Sequence, residues 1–274
     1  MNFMTFLKYQ IRFYLLRWRW LLSLPVIGFI AYRSINAVNA LSAMTSHPVN
    51  AWDATFHAFG SADVVYMVLA VIFLALAGDV LPEPAYGQVM MMRLGSRRLW
   101  WIGKVFTLAA ATLGYLFINL LTFFIFVSTA LPWAKDWSEY SRYDFIAVGL
   151  YKDVLLITPF KTFVYLLVLL ALGLFCLGLI SMIVTLAARR NEVGFLAGAG
   201  VLLSGYIGTH FAGSVTAWWM NLLITHHFEL TPGVFPIRNV PIYLSVLYWV
   251  IAILGLGFIG LVLSRKYDFI AIEE

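Results

Sequence analysis

Five histidines, one cysteine and thirteen acidic side chains are the raw material for metal or acid–base chemistry in this 274-residue chain. The densest grouping is His226-His227-Phe228-Glu229. A metalloprotease helix would carry HExxH, which sets two imidazoles one turn apart with a glutamate base between them. Adjacent histidines on a helix point about 100° apart and do not meet one ion together. An outer-surface pair at the headgroup level is the favoured reading, and a metal-dependent intramembrane enzyme built on His226, His227 and Glu229 is an alternative. His210 reads as interfacial. Cys176 stands in an apolar run with no CxxC and no disulfide partner, so it reads as packing. ATP hydrolysis would need GxxxxGK[ST], whose backbone N–H groups cradle phosphates. Gly103-Lys104 lacks both that loop and the following hydroxyl.

The other concentration of functional side chains is basic. Residues 82–104, PEPAYGQVMMMRLGSRRLWWIGK, carry Arg93, Arg97, Arg98 and Lys104 in a chain that is only 11% charged. They stand between two long apolar runs. Positive charge beside membrane spans tends to stay on the cytoplasmic side. The segment therefore reads as a short basic handle held at the inner membrane face.

The elements that position these residues follow from composition. The chain is 62% hydrophobic with mean hydropathy +0.89, too apolar for a soluble domain of this length. A span needs about 20 mostly apolar residues, and lipid offers the backbone no hydrogen-bond partners, so such runs are helices. The short alternating strands of a membrane β-barrel are absent from the sequence. The expected fold is all-α integral membrane: an N-terminal interfacial amphipathic helix plus six transmembrane helices in a single transmembrane domain, 1–274. Residues 1–20 form the interfacial helix, with Thr5, Lys8, Arg12 and Arg19 on its wet stripe and Phe3, Phe6, Leu7, Ile11, Phe13 and Tyr14 toward lipid. Spans are predicted near 21–40, 63–81, 105–131, 162–187, 193–211 and 242–263. A leader-peptide reading of the first run is set aside, because an amphipathic region precedes it and Arg33 lies inside it. The outer segment 212–241 includes an apolar stretch too short to span, a candidate re-entrant helix.

Lysine and arginine orient the bundle. Twelve fall on the inner side (Lys8, Arg12, Arg17, Arg19, Arg93, Arg97, Arg98, Lys104, Arg189, Arg190, Arg265, Lys266). Six fall outside (Arg33, Lys135, Arg142, Lys152, Lys161, Arg238), and together they account for all 18. Both termini are then cytoplasmic in a multi-pass cell-membrane protein. The net charge of +5 is explained by topology and anionic membrane lipid, not by nucleic acid. Span interiors are nearly free of charge, which lowers the intramembrane-enzyme and proton-coupled-carrier readings. Span five is rich in small residues. Gly194 and Gly198 form GxxxG, and Ser204 and Gly208 repeat the spacing. Such residues let helix backbones approach, either within one chain or at a dimer interface.

The order acid, glycine, apolar run, Arg-x-x-Ser, Arg-Arg, then Gly-Lys opening the next span resembles the permease subunits of ABC transporters, the type V exporter class. The matching residues are Glu83, Gly87, Met90 to Met92, Arg93, Leu94, Ser96, Arg97, Arg98 and Gly103-Lys104, and Pro82 and Pro84 flanking Glu83 depart from the pattern. The resemblance implies a bacterial exporter of an amphipathic substrate: an antimicrobial peptide, a drug or a lipid-like molecule. It implies that Glu83, Gly87, Met91, Arg93, Leu94, Arg97 and Arg98 contact a cytoplasmic ABC ATPase subunit. ATP and Mg would be bound by that partner, with no cofactor or catalytic residue in this chain. A second permease, the same or a related chain, would complete the assembly. A membrane scaffold or sensor that moves no cargo is a further alternative.

Overall fold

The computed structural model describes residues 2–15, 17–81, 89, 92–145, 155–211, 227 and 242–266. Helix α1 is Phe3–Leu15, capped by Asn2, whose Oδ1 accepts from Thr5 N at 2.8 Å. Its stripe Phe6, Gln10 and Tyr14 is buried, while Lys8 and Arg12 are exposed. A 3-10 turn, Trp18–Leu22, leads into α2, Ser23–Thr45. Helix α3 is Ala51–Phe59. A π-helical stretch, Asp63–Ala70, runs into α4, Val71–Ala77, and a 3-10 turn, Gly78–Val80. Then come α5, Arg97–Ala130, and the short α6, Glu139–Tyr143. Helix α7, Pro159–Ala188, opens on a proline whose missing N–H is no loss in a first turn. Helices α8, Asn191–Phe211, and α9, Ile242–Lys266, complete the order. There is no strand among the described residues.

All six apolar runs are helical. Four helices are long and apolar enough to cross a membrane: Trp18–Thr45, Arg97–Ala130, Pro159–Ala188 and Tyr243–Arg265. Ala51–Phe59 and Asp63–Ala77 bend 69° at their break and add a fifth crossing if they count as one span. Two features depart from the expectation. The aromatic stripe of α1 does not all face lipid, because Phe6 and Tyr14 are buried against the protein. Helix α5 starts at Arg97 rather than near 105, because Ser96 caps it: the Ser96 hydroxyl accepts from Leu99 N at 3.3 Å. Arg97, Arg98 and Lys104 therefore lie on the helix itself.

Glycines set the close approaches. A Cβ on Gly194 would collide with Thr185 Oγ1 of α7, and one on Gly198 would stand 2.9 Å from Leu74 of α4. The GxxxG pair thus packs helices of one chain together. Ser204 is exposed and bonds back to Val201 O at 2.9 Å; Gly208 lies in the last turn of α8. At α9 a Cβ on Gly260 would overlap the Trp101 indole, whereas one on Gly255 meets nothing within 4 Å. Gly260→Ala should cost about 1–3 kcal/mol through overpacking. Gly255→Ala should be neutral or stabilising by up to about 1 kcal/mol, since glycine is a poor helix former. Thermal unfolding of the two variants in one detergent checks the contrast.

Candidate functional site

The basic end of the bundle gathers α1, the turn after α4, the start of α5 and the end of α9. Its centre is Lys104, 0% exposed. The Lys104 ammonium donates to Val80 O at 2.8 Å, Gln10 Oε1 at 3.0 Å and Tyr14 OH at 3.4 Å. It also stands 4.7 Å above the Tyr14 ring, a favourable place for a cation. An ammonium out of water must be hydrogen-bonded to be tolerated. Here the acceptors come from α1 and from the residue two before the 82–96 connection. Gly103 lets α1 come this close, since a Cβ there would stand 2.5 Å from Phe6 Cε1. Trp20 reinforces the corner by donating its indole N–H to Tyr14 O at 2.7 Å, and Arg17 stacks 4.4 Å over Phe13.

The other side of the same turn is tied to the last helix. Arg97 Nη1 donates to Arg265 O at 2.5 Å, so a guanidinium meets the terminal carbonyls of α9. Trp101, one turn further along α5, donates its Nε1–H to Gly257 O at 3.0 Å, about two turns back on α9. Between these anchors the described part of the connection is short. Residues 92–94 are helical with Leu94 buried. Gly95 turns the chain at φ +69, a left-handed conformation that a side chain would strain. Val89, Met92, Arg93 and Arg98 are exposed.

The sequence candidates thus divide. Leu94 is the inward anchor, Arg97 is engaged with α9, and Arg93 and Arg98 point out. Glu83, Gly87 and Met91 lie outside the described residues, as do His226 and Glu229. His227 is buried against α9: its Nδ1 lies 3.0 Å from Ser245 Oγ and its ring stacks on Tyr248 with centroids 3.9 Å apart. Among the described residues no group of three His, Cys, Asp or Glu could hold a metal ion.

The opposite end is closed by a cap that the sequence reading did not anticipate. Asp53, fully buried on α3, accepts from Asn50 N at 2.7 Å, from Ser138 Oγ at 2.8 Å and from Ser141 Oγ. Asn50 in turn accepts from Trp52 N at 2.9 Å, which completes a capping box. The Trp52 indole donates to Ala134 O at 2.8 Å and the Trp137 indole to Ile157 O at 2.6 Å. Tyr140 is buried beside this knot. Burial, with the Asp144 and Asp53 carboxylates nearby, holds its phenol above the usual tyrosine range. The missed signal is Asn50-Ala-Trp-Asp53, a helix start written in four residues.

In the spanning region α5 buries further polar side chains, among them Tyr115 and Asn119. Tyr115 OH donates to Leu69 O in the π-helical stretch at 2.9 Å. Asn119 donates to Tyr115 O at 2.7 Å, while its Oδ1 is buried with no hydrogen-bond partner. The π-helical geometry breaks the usual ladder, and the Tyr115 hydroxyl reaches one of the carbonyls there.

No protein-family model, curated protein or solved structure matches this chain.

Lys104→Met keeps the stem and removes the ammonium, leaving its acceptors without that donor. It should lower stability by about 2–3 kcal/mol and speed trypsin cleavage at Lys8 and Arg12 as α1 loosens. Arg98→Met, at an exposed position, should change stability by less than about 0.5 kcal/mol. At the other end Asp53→Ala should cost about 1–3 kcal/mol by stranding its donors. Hydrogen exchange should then quicken in residues 131–145 while α5 stays protected.

Proposed function

We propose that this chain is the membrane-spanning subunit of an ATP-driven exporter, moving an amphipathic substrate with energy from a separate cytoplasmic ATPase. The observation that carries the reading is the construction of the basic turn. Met92, Arg93 and Arg98 are exposed on its surface, while its base is anchored to α1 and α9. A push on residues 92–98 is passed to three helices at once instead of being lost in a loose loop.

The remaining parts fit this role. Helix α8 completes six crossings, α1 serves as the elbow helix at the inner face, and both termini are cytoplasmic. Lys8, Arg12, Arg17, Arg93, Arg97, Arg98, Lys104 and Arg265 lie on elements that meet at one end, in keeping with retention of that end inside. Two such permeases, or this one and a related chain, would enclose the path, and two ATPases would bind the ATP and Mg. Closure of the ATPase dimer would drive the turns together.

Co-expression with an ABC ATPase encoded beside this chain tests the reading. The pair should co-purify, and vesicles holding both should export cargo only with ATP. Arg98→Glu should weaken ATPase capture by about tenfold or more, the scale of one lost charge-assisted contact, with the melting temperature unchanged. Arg97→Glu should weaken capture and lower the melting temperature as well, because it releases Arg265. Transport by the purified chain with no ATPase present defeats the proposal.

A further inference from the structure

Between α4 and α8, at the basic end of the bundle, lies a cleft of about 420 Å³. Leu74 and Ala75 form one wall, and Phe195 and Leu196 form the other. Leu196 is largely exposed, so the cleft opens sideways from the bundle toward its surroundings. Its polar end is closed by Gly78, Asn191 and Glu192. None of these residues belongs to the basic turn or to the Lys104 knot.

The geometry points to a binding site here for a single-chain amphiphile with a primary amine head. The assignment deepens the exporter reading and rests on it for the purpose of the site, which is to take up cargo from the inner leaflet. The volume is within the ~300–1,000 Å³ of ordinary small-molecule sites, and the walls are apolar as such sites are. That room suits one alkyl chain and is too small for the paired chains of a membrane phospholipid. The head chemistry follows from the polar end. Glu192 supplies a carboxylate at an exposed position. Asn191 Oδ1 is buried with no hydrogen-bond partner. Gly78 leaves it room, for a Cβ there would stand 3.0 Å from that oxygen. An acceptor buried without a donor is an open liability. A turn of the Asn191 amide about its Cβ–Cγ bond brings the oxygen toward the cleft, where an ammonium has three N–H groups to offer. A carboxylate head would be repelled by Glu192, whereas an ammonium can donate to both Glu192 and Asn191 Oδ1. Arg189 and Arg190 precede Asn191 on the exposed turn and are not part of the lining.

The test uses the full chain in phosphatidylcholine nanodiscs, without any ATPase, and dodecylamine carrying a mid-chain diazirine. After illumination, label should concentrate on Leu74–Ala75 and Phe195–Leu196. Unlabelled dodecylamine should compete at least tenfold better than dodecanoate. Glu192→Gln should reduce labelling at least fivefold, and Gly78→Leu should abolish it by filling the floor. If Gly78→Leu does not fold, the exposed Glu192→Gln decides alone. Label spread evenly over the outer faces of α8 and α9, equal competition by dodecanoate, or labelling unchanged in Glu192→Gln overturns the site. Because no ATPase is present, failed export with intact labelling removes the exporter reading and keeps the site. Export with absent labelling does the reverse.

Discussion

An ammonium shielded from water has to be given acceptors by the protein around it. At Lys104 those acceptors sit on separate pieces of chain, Gln10 and Tyr14 on α1 and Val80 at the end of the second apolar run. The consequence is geometric. Helix α1 cannot drift away from α5, and the two ends of the 82–104 connection are held together at their base. Gly103 makes the approach sterically feasible, and Ser96 fixes where the helix carrying Lys104 begins. The turn that would receive a partner is therefore built on a polar knot and not on hydrophobic contact alone.

The two ends of the bundle are stabilised by opposite charges. One end is organised around a buried cation, the other around the buried carboxylate of Asp53 with its backbone and hydroxyl donors. The indoles of Trp52 and Trp137 add long-range bonds to backbone carbonyls at that second end. Between the ends, packing is set by glycines against side chains: Gly194 on Thr185, Gly178 on Leu108 and Gly260 on Trp101. Close backbone approach replaces the hydrophobic drive that lipid cannot supply.

How much of this was legible in the sequence depends on the kind of signal. The long apolar runs were legible because lipid permits only helices there, and the run at 162–187 differs from α7, Pro159–Ala188, by a few residues. The start of α5 was not, because a hydropathy window discounts Arg97, Arg98 and Lys104 and cannot see that Ser96 caps. Lys104 read as a flanking charge, and only the fold reveals that Gln10, 94 positions away, meets it. The spacing of Gly194 and Gly198 announced close packing but not its partners, which are α7 and α4. Asn119 and Tyr115 were overlooked as uncharged residues in an apolar run, and the π-helical stretch that Tyr115 meets leaves no period in the sequence. Glu83, Gly87 and Met91, three of the seven residues of the proposed contact, lie outside the described residues.

The bond from Arg97 to Arg265 joins positions 168 apart, and its reach matters during synthesis. Helix α5 leaves the ribosome long before α9 exists, so for most of translation its guanidinium and the Trp101 indole have no carbonyls to meet. The knot at Lys104 needs only segments already made, and it closes early. The turn is thus completed by α9, the most distant in sequence of the helices that build it. A chain stopped short of α9 lacks the carbonyls that Arg97 and Trp101 meet, and its basic corner stays open.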